Sequence, residues 1–374
     1  MVDLLHAALL RLRRVDLGVI IPMGLLMLIG LGLIQSATAG HEELHLRQLR
    51  WFAIGILVSV PLALWPYSRM LRWAPLLYVV AIAALVGLLV SGQKINHANR
   101  WFVVGGQQLQ PSELAKLLTV IALAQMLRFG RVLDCPRKWI KPLVVAVLPA
   151  ALIVVQPDLG TSLLFVPVAF AVVLVSGIPL RSLALLGLLG VVLVGGAYTF
   201  FLEDYQKERI WSTYAHDRLT ASQRAGPGWQ LTMSQNAIAN GGVFGHGHRE
   251  GPLTQEGLLP LDYNDTVFAV LAEEHGFVGC LFVTLLFVAL VLAIYRVAWQ
   301  TRDPGGRLLC VGVGTFIGFQ ALVHMAVTLG LAPTTGMPLP LVSYGGSSFL
   351  VTMMSLALVQ NVVINRPRSP ILGL

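Results

Sequence analysis

The chain has 374 residues, 56% of them hydrophobic and 12% charged, with a mean hydropathy of +0.75. That balance excludes an ordinary soluble domain and reads as an all-α, polytopic membrane protein. A net charge of +8 would suggest a nucleic-acid partner in a soluble chain, but here Lys and Arg lie in short segments between apolar runs, which reports topology and implies no nucleic acid.

Arg11, Arg13 and Arg14 precede the first apolar run, and no convincing small-residue cleavage site follows, so the first helix is expected to be retained. A membrane span needs roughly 20 apolar residues. About ten candidates occur, near 17–36, 49–66, 74–91, 112–128, 142–155, 159–176, 183–201, 265–295, 308–330 and 347–364. With a cytoplasmic N-terminus, the inner loops hold Arg69, Arg72, Arg131, Arg137, Lys138, Lys141, Arg181, Arg302, Arg307, Arg366 and Arg368. The short outer loops hold Arg47, Arg50, Lys94 and Arg100. The bias puts both termini in the cytoplasm. One domain is expected over 1–374, with a long extracytoplasmic loop at about 202–264, and loops of that length usually carry function. Cys135, Cys280 and Cys310 are far apart and form no disulfide framework or metal spacing.

Taken in order, the motifs begin with His41-Glu42-Glu43-Leu44-His45, which matches the zinc-protease pattern H-E-x-x-H. It lies in a polar loop beside Arg47 and Arg50 with no third ligand at a recognised spacing, and reads as a solvated loop. Gln110-Pro111-Ser112-Glu113-Leu114-Ala115-Lys116 opens the fourth span with Pro111 in the first turn. Glu113 and Lys116 are three apart and suit a plain ion pair, yet a cation inside an apolar span also suits an internal cavity and an anionic substrate group. Gln156-Pro157-Asp158-Leu159-Gly160-Thr161 divides two apolar segments. Asp158 reads either as a helix cap in a tight turn or as part of a broken helix whose N-terminus points at an anion. In the long loop, His246 and His248 stand in a Gly-rich stretch, where metal binding is one reading and ordinary loop histidines the commoner one.

Leu259 to Ala269 closes that loop and opens the eighth span, with Glu273-Glu274-His275-Gly276 just beyond. Asp265 sits where water meets lipid, a costly place for a carboxylate. Asn264 or Asp265 as a helix cap and Asp265 as a general base are both open at this point. Pro338-Leu339-Pro340-Leu341-Val342-Ser343-Tyr344-Gly345-Gly346-Ser347-Ser348 reads as a stiff outer loop, either packing over the bundle or walling a cavity.

These motifs together resemble the shape, elongation, division and sporulation (SEDS) family, whose best-known branches are RodA and FtsW. The resemblance runs through Arg100-Trp101, Gln110 to Lys116, Gln156 to Ser162, Gly228 to Leu231, Gly241-Gly242, Phe268 to Gly276 and Pro338 to Ser348. It implies a ten-helix peptidoglycan glycosyltransferase that polymerises lipid II at the outer face of the bacterial cytoplasmic membrane, in cell elongation or division. It further implies that Asp265 deprotonates the acceptor sugar hydroxyl, which attacks C1 of the donor and expels undecaprenyl pyrophosphate. By resemblance Arg100, Gln110, Ser112, Glu113, Lys116, Asp158, Ser343 and Tyr344 join the substrate cavity, with Arg209 as a pyrophosphate contact. A divalent cation, Mg²⁺ or Mn²⁺, is implied as an aid to the leaving group, without fixing its ligands, and no organic cofactor. The implied partners are lipid II, membrane lipids and a class B penicillin-binding protein carrying transpeptidase activity. The chain departs from the family's L-P-E-x-H-T-D-F, with Leu261, Tyr263, Asn264 and Thr266 where Glu, His, Thr and Phe are usual, and Asp262 next to the lost Glu. His324 replaces a common Asn, and His246 a residue that is often Lys in the RodA branch. The broken helices and Lys116 also suit a different class of function, a lipid II flippase.

Overall fold

The computed structural model describes residues 14–38, 42–91, 93–95, 98–104, 107–129, 140–177, 227–259 and 263–366, with isolated helical residues between 184 and 214. The seventh expected span, 183–201, and the residues Cys135, His41, Arg209, Leu261 and Asp262 fall wholly or mostly outside that description.

The described chain is helical with one small sheet. Helices α1 (Leu17–Ala37), α2 (Glu42–Leu64) and α3 (Tyr67–Ser91) lead into strands β1 (Gln93–Ile95), β2 (Ala98–Val104) and β3 (Gln107–Leu109). Then come α4 (Pro111–Leu127), α5 (Ile140–Val155), α6 (Leu159–Leu163), α7 (Phe165–Val175), α8 (Pro227–Gly241), α9 (Pro252–Gln255), α10 (Val267–Gln300), α11 (Pro304–Thr328) and α12 (Gly346–Asn365). Six of these, α1, α2, α3, α10, α11 and α12, are long and apolar enough to cross a membrane, and α5 and the α6–α7 run are shorter apolar helices. Exposed Leu57, Val79, Val80, Val90 and Leu292 would be a liability in water. A bilayer covers them, so the chain is a multi-pass membrane protein.

The centre is formed by α11 and α12, with α4 beside them, and α4 buries both its polar first turn and its apolar remainder. Polar residues of α12 tie elements together where no water is available. Asn361 donates to the carbonyls of Leu62, at 2.6 Å, and Trp65, and accepts from the Tyr67 N–H at 2.9 Å, closing the α2–α3 turn. On the same helix Gln360 donates to the Asp16 carbonyl at 3.0 Å, and Asp16 in turn pairs with Arg296 of α10 at 2.6 Å.

Three features differ from the sequence expectation. The loop Ser91 to Gln110, expected on the outer side, carries a three-stranded antiparallel sheet in the order β1-β2-β3, with Phe102 paired to Leu109 and Val104 to Gln107. The run Trp101 to Val104 is rich in aromatic and β-branched residues, which fit a pleated surface, but it is too short to stand out against the spans. Part of the long loop is the helix α8, whose buried face is Gly228, Leu231, Ser234, Ala237 and Gly241. Mostly small residues line that face, so hydropathy hides it, although their spacing is helical. Finally, the expected span 265–295 is broken, because Gly276 of α10 has φ 62° and ψ −163°.

Candidate active site

The segment between α11 and α12, residues 329–345, is the hub that brings the sequence motifs together. Its C-terminal end is pinned to the residues before α10. The Tyr344 N–H donates to the Tyr263 carbonyl at 2.8 Å, and the two rings meet edge to face at 5.7 Å. The Ser343 hydroxyl donates to the Asn264 carbonyl at 2.8 Å while accepting the Leu339 N–H at 2.8 Å. Leu341, buried, holds φ 66°, a left-handed conformation that costs a β-carbon-bearing residue about 1–2 kcal/mol and persists where surroundings over-determine it.

Asp265 is partly buried, two residues before the start of α10. The cap position falls on Thr266, whose side chain makes no capping bond, so neither Asn264 nor Asp265 is the N-cap residue. A β-carbon on Gly336 would lie 3.8 Å from Asp265 Oδ2, so the carboxylate faces the backbone of the hub. The hub also presses on α6, where a β-carbon on Gly160 would come within 2.6 Å of the Thr335 carbonyl oxygen. Only glycine permits that approach.

Beneath the hub lies a buried charge pair. Lys116 Nζ is 2.8 Å from Glu113 Oε1, with both side chains at most 4% exposed. The same ammonium donates to Gln320 Oε1 at 3.1 Å and stands 4.7 Å above the Phe316 ring. Gln320 Nε2 donates onward to the Pro338 carbonyl at 2.8 Å. His324, one turn along α11, is buried with Nδ1 2.7 Å from the Met337 carbonyl. Because a carbonyl only accepts, Nδ1 carries the proton. The plain ion pair read from the Glu113–Lys116 spacing is present, and Gln320 connects it to the hub.

On the other flank, Asp158 caps α6 by accepting the Thr161 N–H at 3.2 Å through Oδ1, and its Oδ2 accepts from Gln110 Nε2 at 3.0 Å. The capping alternative for Asp158 is therefore realised, together with a link to the QPSELAK segment. The Gln110 N–H donates to Ser347 Oγ at 3.1 Å, and that hydroxyl donates to the Gln108 carbonyl at 3.0 Å. Ser112 is buried in the first turn of α4.

Tyr344 lies in the hub with its phenol beside Arg47 of α2. Burial raises its pKa above 10.0, Arg47 opposes that shift and Tyr263 adds to it. Arg100 lies in β2, its side chain outside the described set.

Thus Asp265, Ser343 and Tyr344 meet at the hub, Glu113 and Lys116 reach it through Gln320, and Asp158 and Gln110 are tied to the start of α12 beside it. Gln320 and Arg47 also belong to it and were not singled out from sequence. An amide inside an apolar span was the available signal for Gln320, since buried polar groups there are costly. Nothing in the sequence pairs Arg47 with Tyr344, about 300 positions away.

Among the described residues, a grouping of three or more side chains able to hold a metal occurs at His248, Glu274 and His275, and Asp265 belongs to none. Mg²⁺ is commonly held by one or two carboxylates plus substrate phosphates, and a single carboxylate such as Asp265 fits that mode.

The family of FtsW, RodA and SpoVE, described as "Cell cycle protein", matches residues 11–367. Peptidoglycan glycosyltransferase MrdB of Escherichia coli K12 is 30% identical over 351 residues, covering 92% of this chain and 94% of MrdB. The crystal structure of the rod shape determining protein RodA of Thermus thermophilus is similar with a TM-score of 0.71 at 30% identity, covering 95% of this chain and 98% of RodA. A chain of a peptidoglycan synthase complex, solved for the structural coordination of polymerization and crosslinking, is similar with a TM-score of 0.80 at 32% identity over 93% of this chain and 97% of its own.

Proposed function

The chain belongs to the FtsW, RodA and SpoVE family of cell cycle proteins, and from that premise we infer that it is a peptidoglycan glycosyltransferase that polymerises lipid II into glycan strands during elongation or division. The observation that carries the catalytic reading is a partly buried carboxylate, Asp265, against a hub that also holds Tyr344 and is linked through Gln320 to Lys116. Asp265 takes the proton from the acceptor sugar hydroxyl as its oxygen bonds to C1 of the donor sugar. The C1–oxygen bond to undecaprenyl pyrophosphate breaks, and the pyrophosphate leaves with the electron pair.

Lys116 supplies a fixed positive charge near the hub, held by Glu113 and Gln320, and Arg100 and Arg209 complete the anion-binding side. Were a Mg²⁺ or Mn²⁺ ion bound, Asp265 would be the residue able to hold it, and the ion would supply positive charge against the leaving pyrophosphate. The reaction takes place on the outer face of the bacterial cytoplasmic membrane, with both termini inside. The partner is a class B penicillin-binding protein that crosslinks the strands, a reading supported by likeness to a chain of a synthase complex that couples the two activities.

The test is polymerisation by the purified full chain given lipid II and Mg²⁺ or Mn²⁺, read as glycan strands on a gel. Asp265→Asn is expected to lower the rate by about 10²-fold or more, the range lost with a general base, while the melting temperature stays near wild type. Full activity in that variant removes Asp265 from the base role. Lipid II translocation in liposomes without strand formation would instead favour the flippase.

A further inference from the structure

The break in α10 builds a second site away from the hub. At Gly276 the helix loses its own hydrogen bonds, and the segment 242–247 supplies replacements. The His246 and Gly247 N–H groups donate to the carbonyls of Glu273 and Glu274 at 3.0 and 2.9 Å. The Phe277 and Val278 N–H groups donate to the carbonyls of Gly242 and Val243 at 2.9 and 3.1 Å. In an apolar medium these four bonds satisfy groups that would otherwise be costly, so the segment is held firmly on the helix.

That docking sets His248 opposite Glu274 and His275. One ligand atom from each lies within 4.8 Å of the others, and His248 Nδ1 is 3.2 Å from Glu274 Oε2. The Glu274 carboxylate is wholly buried, and its Oε1 accepts the Ser36 hydroxyl of α1, which in turn accepts from Gln255 at 3.3 Å. A carboxylate oriented from behind in this way is the outer-shell arrangement of metal ligands. Both imidazoles line an apolar cavity of about 280 Å³ with Ile29, Leu33, Leu271 and Phe282. Glu274 itself is shielded from water, which strengthens its attraction for a cation.

We propose that His248, Glu274 and His275 form a zinc site that clamps the segment 242–251 to the broken helix, with water completing the coordination. Two imidazoles and one carboxylate are a zinc donor set, softer than the oxygen set that Mg²⁺ prefers. Tetrahedral zinc places its ligand atoms about 3.3 Å apart. The two histidines are exposed, so rotation of their side chains would close the remaining gap toward the buried Glu274. The site lies roughly 10 Å along α10 from its start at Val267, taking a rise of about 1.5 Å per residue. It is thus distinct from a pyrophosphate-borne ion at Asp265, and it stands whether or not the glycosyltransferase reading holds.

The experiment uses the full chain in detergent, purified through a tag without histidine, stripped with a chelator and titrated with zinc chloride. The expected result is one zinc per chain with a Kd at or below roughly 1 μM. His248→Gln and His275→Leu are each expected to weaken binding at least tenfold, and Ser36→Ala to weaken it less while leaving the ligands in place. A His41→Ala/His45→Ala double variant is expected to bind as wild type. Cobalt at the site should give the visible absorption of a four-coordinate ion. Absence of saturable binding overturns the proposal, as does binding undiminished in both single histidine variants or lost in the His41/His45 variant.

Discussion

Glu113 and Lys116 depend on each other because neither charge has water to fall back on. The second Glu113 oxygen is buried with no hydrogen-bond partner, so the carboxylate's charge is balanced chiefly through Lys116. Removing one partner strands the other, at a cost of about 3–5 kcal/mol, whereas replacing both with apolar groups is far milder. Glu113→Gln and Lys116→Met are therefore each expected to lower the melting temperature in detergent by several degrees, and the double variant by less than either. Thermal unfolding of the three proteins checks this. Tyr344 responds to alkali in a predictable direction. Its raised pKa means the folded state holds the phenolic proton longer than the unfolded state does. Stability is thus unaffected below the ordinary value of 10.0 and falls as pH rises above it. Melting temperatures between about pH 9 and 11 should drop more steeply in wild type than in Tyr344→Phe, where that titration is gone.

Between elements, glycine decides which backbones can meet. A β-carbon on Gly241 would sit 1.9 Å from the Ala272 carbonyl oxygen, so α8 packs on α10 with backbone against backbone. At Gly276 a β-carbon would approach the Gly245 nitrogen to 2.4 Å, and φ 62° is itself unfavourable for other residues. Neither neighbour can swing away, because both are main chain. Gly241→Ala and Gly276→Ala are expected to release the segment 242–251 from α10, seen as faster proteolysis there and a lower melting temperature. Gly24→Ala in α1, with nothing within 4 Å of the added carbon, should instead be neutral or stabilise by about 0.5–1 kcal/mol through helix propensity.

Across the whole molecule, the bilayer sets what faces out and the charge bias sets which way up. If both termini are inside, as the charge bias predicts, the exposed Asn240 of α8 should lie outside and the exposed Arg302 between α10 and α11 inside. In a cysteine-free background, a membrane-impermeant thiol reagent applied to intact spheroplasts should label Asn240→Cys and leave Arg302→Cys unlabelled until the membrane is opened. The reverse pattern would invert the topology and move the hub to the cytoplasmic side.

The all-α membrane architecture was legible from composition and apolar run length, because a bilayer demands long uninterrupted apolar helices whatever the order of packing. The QPSELAK, QPDLGTS and PLPLVSYGGSS segments stood out as well, because prolines, glycines and charges at membrane depth are costly, although local chemistry left their roles open. What only the tertiary structure decided is how distant segments meet. The capping alternative for Asp158 and the ion pair of Lys116 were local and could be read from spacing. The facing of Asp265 toward Gly336, the bridge from Lys116 through Gln320 to Pro338, and the gathering of His248 with Glu274 and His275 join positions far apart or across a broken helix. Periodicity describes one element at a time, so contacts set by the packing of several helices, and by a backbone that leaves its helix at Gly276, have no signature in any single stretch.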